Sequence, residues 1–379
     1  MSRLTRSNYA PSPAKIKVIG LGGGGCNAVS RMVREGIQGV DFVAVNTDSQ
    51  ALKLAEAPTK LRLGDKLTRG LGVGGDPERG LKAALESRDQ LAEVTRGADM
   101  VFLAAGMGGG TGTGSVTVVA ELAKGSGALT IAVVTKPFSF EGARRQVVAE
   151  EGLARLADKV DTLIVIPNER LLTLCDQKAG MEQAFQFADD VLRHGVQAIA
   201  EVITVAGDIN LDFADVQAVM SDAGPAWMSI GTGSGQNRAV EAAKSALASP
   251  LLDVSIHGAT GVLFNICGDD TLTLHEVNEA AQVISKAVDS QANIIFGVVK
   301  DNNMGEEVRI TLIATGFLSK LRSGIPKREE IRQLLHRDIG EESELDIPTF
   351  MRHQPYRKRS WQGREGIPSE MGTSSLAQN

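Results

Sequence analysis

The sequence predicts an α/β protein in which a parallel sheet flanked by helices is followed by a smaller mixed α/β unit and a tail. Three observations carry this expectation. From Lys15 onward, short apolar runs alternate with helix-like segments; glycine-rich turns close at least two of those runs; and one long amphipathic stretch separates this pattern from a second one. With 379 residues, the chain exceeds the usual size of a single hydrophobic core, and its 42% hydrophobic content is enough for two.

The first pattern runs through KIKVIG, NAVSRMVREG, DFVAVNTD, ADMVFLAAG, SVTVVAELA, LTIAVVT and TLIVIP, the alternation expected of a parallel sheet. Between 183 and 203, Ala184, Ala188, Val191, Leu192, Val196, Ile199 and Ile203 recur at helical spacing and predict one long helix joining two domains. Beyond Gly207, SDAGPAWMSIG, GATGVLFNICG, NIIFGVVKDN and EEVRITLIATG read as strands, with helices at NRAVEAAKSALAS and LHEVNEAAQVISKAV. Trp227 and Met228 read as core. After Phe317 the periodicity fades, apart from Ile331, Leu334, Leu335 and Ile339, and the remaining tail reads as disordered. The expected divisions are a flexible start at 1–14, a first domain at 15–182, the helix at 183–204, a second domain at 205–318 and a linker and tail at 319–379.

Composition removes several function classes. The 40 basic and 46 acidic residues leave a net charge of −6, which offers no general footprint for nucleic acid. Cys26, Cys175 and Cys267 stand far apart without a CxxC pair, and His194, His257, His275, His336 and His353 are scattered, so neither a disulfide framework nor a protein-built metal site is expected. No apolar run approaches the ~18 residues that cross a bilayer, and the N-terminal residues lack the apolar stretch of a secretory signal. A cytoplasmic protein is the expectation.

The glycines point to phosphate. Gly20, Gly22 and Gly25 satisfy G-x-G-x-x-G between a strand and a helix, so backbone amides and a helix N-terminus can face an anion. Asp48 ends the next strand, as an acidic residue does in dinucleotide-binding folds, which keeps a nicotinamide enzyme open. For this loop alone, close packing of helix on sheet explains the glycines equally well. The second loop, 106–114, holds six glycines in nine positions, an entropy cost that packing alone would seldom justify. Two cradles suit a longer phosphate chain. No G-x-x-x-x-G-K-[ST] is present, so amides and Thr hydroxyls would hold the phosphates, and Mg²⁺ is the natural remaining counter-charge.

GGGTGTG at 108–114 stands together with GGGGCNAV at 22–29, NTD at 46–48, KPFSFEGARR at 136–145, IPNERLL at 166–172, NLDFADV at 210–216, GTGSGQNRA at 231–239 and DIPTF at 346–350. This set resembles the tubulin/FtsZ family over roughly 15–317 and the tail segment. The resemblance implies a Rossmann-like GTPase domain, a long central helix and a smaller mixed α/β C-terminal domain. It implies GTP or GDP as the bound nucleotide and a cytoskeletal GTPase that polymerises head to tail into filaments of the bacterial division ring, at midcell beneath the membrane. Residue by residue, Gly23, Gly24, Gly25, Cys26 and Asn27 match the first phosphate loop, and Gly110, Thr111 and Gly112 match the second. Glu141 and Arg145 match ribose and nucleotide contacts, while Asn168, Phe185 and Asp189 match guanine-facing positions. The chemistry agrees for Asp189, because a carboxylate accepts from guanine N1–H and the 2-amino group, which adenine does not offer. A core aromatic and a solvated helix carboxylate would be the default for Phe185 and Asp189 taken singly.

Asn210, Asp212 and Asp215 follow the long helix, with the two carboxylates at i, i+3 on one face. Capping a helix start would explain both acids. The resemblance assigns them instead to catalysis in the pocket of a neighbouring subunit. It also assigns Asp346, Ile347, Pro348, Thr349 and Phe350 to a peptide that binds membrane-tethering and regulatory division proteins. Arg357, Lys358, Arg359 and Arg364 around Trp361 suit anionic lipid, an acidic partner or plain solvation. A cell-shape or plasmid-partition filament protein and a non-hydrolysing nucleotide-binding regulator are the competing functions.

Overall fold

The computed structural model describes residues 14–174, 180–205, 211–252, 256–301 and 304–317. Asn210, Cys175, the segment 346–350 and the basic residues around Trp361 lie outside them.

The described chain builds one ten-stranded sheet. Its first part comprises β1 (Ile16–Leu21), α1 (Gly22–Arg34), β2 (Val40–Asn46), α2 (Ser49–Leu54), β3 (Thr59–Arg62), α3 (Asp65–Thr68), α4 (Pro77–Glu86), α5 (Arg88–Thr95) and β4 (Met100–Gly106). There follow α6 (Thr111–Gly125), β5 (Leu129–Lys136), α7 (Ala143–Leu156), β6 (Thr162–Pro167) and the short α8 (Asn168–Leu171). These six strands are parallel, in the order β3-β2-β1-β4-β5-β6. Strand order therefore reverses between β1 and β4, and a crevice opens at their carboxyl ends.

Burial on both faces explains why β4 is apolar throughout. Met100 and Phe102 join α1 in one core layer, while Val101, Leu103 and Ala105 join α6 in the other. The long helix α9 (Met181–Thr204) lies in the first layer through Ala188, Val191, Leu192, Val196 and Ile199, and starts two residues before the predicted span.

The second part contains α10 (Phe213–Met220), β7 (Gly224–Gly233), α11 (Arg238–Leu247), β8 (Gly261–Gly268), α12 (Leu274–Ala287), β9 (Asn293–Lys300) and β10 (Val308–Thr315). The order β7-β10-β8-β9 is mixed, with β10 antiparallel to both neighbours. The two parts are continuous through the sheet: β7 pairs in parallel with β6 at Thr162–Gly224, Leu163–Pro225 and Ile164–Ala226. A separate core of α11 alanines and α12 apolar residues covers the outer face of the second part. On the inner face, Val202 of α9 sits against Gly297, whose added Cβ would lie 2.8 Å from Val202 Cγ1. Met228 is buried as expected, but Trp227 is only half-buried, with its ring edge on Phe317 at 4.7 Å.

Arg238 starts α11 and is almost fully buried. Its Nε donates to Glu276 Oε1 at 2.9 Å and its Nη2 to Thr271 Oγ1 at 2.8 Å, with Asp269 Oδ1 at 3.3 Å from Nη1. Removing this cation leaves the partly exposed carboxylates of Asp269 and Glu276 without their guanidinium. Arg238→Met is therefore expected to lower unfolding stability, read as a lower urea midpoint of the protein.

Candidate functional site: a cleft at the sheet reversal

A cavity of about 680 Å³ opens where strand order reverses, between the ends of β1 and β4. Both α1 and α6 point their N-termini at it. Neither has an acidic residue in its first turn, and each carries basic residues in its last, so the helix dipoles present positive ends to the cavity.

The glycines divide into two kinds. A Cβ on Gly23 or Gly109 would meet nothing within 4 Å, and both residues line the cavity. At Gly25, a Cβ would lie 2.2 Å from Ala104 O, so this glycine lets α1 lie directly on β4. In the second loop, added Cβ atoms at Gly110 and Gly114 would meet Val73 Cγ2 at 2.5 Å and Pro77 O at 2.2 Å. Close packing, set aside for this loop on the sequence, thus accounts for part of its glycine content.

Hydroxyls and amides fix the loops. Thr113 Oγ1 accepts from Gly108 N at 2.9 Å, the Thr47 and Thr111 hydroxyls are 2.6 Å apart, and Asn46 Oδ1 accepts from Thr47 N at 2.8 Å. Asp48 lines the cavity and caps α2, its Oδ1 accepting from Gln50 N and Ala51 N at 2.7 and 3.2 Å.

At the α9 end of the cavity, Asn168 is buried and its Oδ1 has no hydrogen-bond partner, an atom ready for a donor. Burial pushes the Asp189 carboxyl up to about 7, against the pull of Arg31 and with a push from Asp190. Phe185 stands beside it, half-exposed, edge-on to Phe138 at 5.3 Å. Glu141 pairs with Arg145 on the rim and accepts from Phe138 N at 3.0 Å. An unpartnered acceptor, a desolvated carboxyl and an exposed ring form one end of the cleft. Amide-bearing helix starts form the other.

A family model described as the Tubulin/FtsZ family, GTPase domain, matches residues 15–176, and one described as the FtsZ family, C-terminal domain, matches 224–318. An FtsZ structure from M. jannaschii, described as an empty dimer, is 48% identical with a TM-score of 0.79, covering 81% of this chain and 89% of its own. A mutant FtsZ of the same organism is also 48% identical, with a TM-score of 0.78 and coverage of 80% and 92%. The chain belongs to the tubulin/FtsZ family. CetZ2 of Haloferax volcanii, in a GTPγS-bound protofilament, shares the fold at 21% identity and a TM-score of 0.70, covering 86% of this chain and 99% of its own.

Of the residues expected at the site, Gly23, Gly24, Asn27, Gly110, Thr111, Gly112, Glu141, Arg145, Asn168, Phe185 and Asp189 line this cavity. Gly25 and Cys26 stand behind its wall. Cys26 is buried, its Sγ 3.5 Å from Val45 O, and burial pushes the thiol up to about 12, which leaves it unreactive. Asp212 and Asp215 do not line the cavity; Asp212 caps α10, accepting from Asp215 N at 2.9 Å. A further wall, Leu71 to Gly75, was not foreseen from the sequence. Its signal is a third glycine cluster, in which Gly72, Gly74 and Gly75 all have φ between 62° and 79°.

Two outcomes follow. Gly25→Ala should lower stability by about 1–3 kcal/mol through overpacking against β4, whereas Gly23→Ala should leave the urea midpoint nearly unchanged. Asp189→Asn tests the buried carboxyl. In the unfolded chain its pKa is ~3.9, so ionising it in the nucleotide-free fold costs stability as pH rises through about 7. The variant should be more stable than the parent at pH 8, with the difference vanishing towards pH 4.

Proposed function

We propose that this cavity binds GTP and that hydrolysis is completed between head-to-tail subunits, by Asp212, Asp215 and Asn210 of one acting in the cavity of the next. The observation that carries this is a distance. From Asp189 to the end of α9 at Thr204 is fifteen residues, about 22 Å at the helical rise, and the acidic pair follows that end in the chain. Neither carboxylate lines the cavity of its own chain, which supports a role in that of a neighbour. Supplied from outside, the carboxylates can polarise water after assembly without weakening triphosphate binding beforehand.

The phosphates would lie against the amides of Gly23, Gly24, Gly110 and Gly112, with guanine between Asn168, Phe185 and Asp189. Guanine N1–H and its amino group need the ionised carboxylate, so binding should release a proton near pH 7. Among the described residues no cluster of three metal-ligating side chains occurs. Mg²⁺ would accordingly be held chiefly by the phosphates and its own waters, with the Thr47 and Thr111 hydroxyls at hand, and would supply counter-charge. The relative described as a dimer supports self-association. Filaments of the division ring at midcell, reached through 346–350 by membrane-tethering partners, complete this reading.

A second reading is a nucleotide-binding regulator without hydrolysis, favoured by the capping role of Asp212. Turnover against protein concentration, with light scattering and an ATP control, separates the two. Specific activity that rises above the assembly threshold, with GTP alone, is expected. Asp215→Asn should bind GTP and assemble yet lose about 10²-fold in turnover; wild-type turnover in its polymers would overturn the assignment.

A further inference from the structure

Arg31 stands outside the cleft and is tied to the turn that carries its base-facing residues. On α1, Gly23 and Asn27 line the cavity, and Arg31 is the next residue at the same i, i+4 spacing, one turn beyond the cavity's edge. On α9, Phe185 and Asp189 line it at that spacing too, and Gln186 and Asp190 directly follow them. Arg31 Nη1 donates to both followers, to Asp190 Oδ2 at 2.7 Å and to Gln186 O at 3.3 Å. One guanidinium thus spans the neighbours of the two residues that would face a base. The Arg31 and Asp190 side chains are 21% and 30% exposed, so water screens this pair less than it screens a surface ion pair.

The same guanidinium is the foremost positive charge acting on the Asp189 carboxyl, whose ionisation burial opposes. Asp190 also opposes it, but is itself shared between Arg31 and Arg193, whose Nε lies 3.5 Å from Asp190 Oδ1. Arg34 favours ionisation more weakly and is paired with Glu56 at 3.0 Å. The remaining charged groups around this end of the cleft are engaged elsewhere. Glu141 pairs with Arg145, Asp48 accepts from the amides of α2, Lys136 of β5 pairs with Glu150, and Glu169 of α8 accepts from Ser139 N. Arg31 therefore both holds the turn and favours the charged form of its carboxyl.

We propose that Arg31 is a positioning residue for base recognition: from behind the cavity wall it fixes the α9 turn bearing Phe185 and Asp189, and its charge supports the carboxylate that guanine needs. This inference rests on the reading of the cavity as a guanine-nucleotide site and adds to it a residue that does not touch the nucleotide. Methionine at this position removes both the hydrogen bonds and the charge. Lysine keeps the charge.

Equilibrium binding of GDP to the full-length protein, followed from pH 6 to pH 9, tests the assignment. At pH 7, Arg31→Met should bind GDP about tenfold more weakly than the parent, the effect of losing one nearby opposite charge. The gap should narrow towards pH 9, where the carboxyl ionises without that help. Arg31→Lys should retain the parent's pH profile, and Arg34→Met, which gives up a pair with Glu56 and no contact to α9, should stay within about twofold of the parent. In an Asp189→Asn background the loss caused by Arg31→Met should largely disappear. An equal loss in both backgrounds would make Arg31 a general prop of the fold and overturn the proposal, as would parent-like affinity and pH dependence in Arg31→Met. Failure of the parent to bind GDP would instead overturn the guanine-nucleotide reading itself.

Discussion

The contact of α1 with β4 at Gly25 is the constraint on which the rest of the site depends. With no room for a Cβ between that residue and Ala104 O, the helix lies as near the sheet as backbone allows, directly over the strand reversal. Its N-terminus is thereby brought level with that of α6, and the two amide-bearing ends converge on one crevice instead of two. The hydroxyl pair of Thr47 and Thr111 then ties β2 to the second loop across the same opening. A fold that held α1 even one methyl group further out would separate the ends that must share a phosphate chain.

Electrostatic cost is distributed with the same economy. The phosphate end of the cleft presents backbone dipoles, and the Oδ1 of Asp48, which lines the same cavity, accepts from the first amides of α2. The other end holds a carboxyl that burial pushes up to about 7, so that it is only about half ionised at neutral pH until donors arrive. An acid so placed is a poor partner for bulk cations and a good one for a ring that offers N–H groups. Asp212 caps α10, and neither it nor Asp215 lines the cleft, so the acidic pair is kept off the phosphate end of its own chain.

Much of this was legible in the sequence because it is local. Apolar runs gave away β1, β4 and β5, helical spacing gave away α9, and glycine clusters marked the loops between strand and helix. The i, i+3 acids announced a helix start, and Asp212 caps one. What escaped depends on partners distant in the chain. Whether Gly25 or Gly114 faces ligand or protein is decided by Ala104 O and Pro77 O, which no spacing rule connects to them. The wall at Leu71–Gly75 borders the cleft only because β3 and α3 return the chain there. Trp227, apolar by composition, is only half-buried and meets Phe317, ninety residues further along the chain. The continuity of the two parts through β6 and β7 rests on three residue pairs, too few to leave a pattern.

The long helix α9 is fixed at both ends: Phe185 and Asp189 belong to the cleft, and Val202 fits against the bare backbone of Gly297 in β9. Each residue added to or removed from a helix turns everything beyond it by about 100° and shifts it by ~1.5 Å. One insertion between these points would carry either the cleft residues or Val202 round to the wrong side. Side chains along the solvent face of this stretch are free to drift over evolutionary time, but its length is not. The helix acts as a ruler whose divisions cannot be recounted, and families built on it should vary in spelling here far more readily than in register.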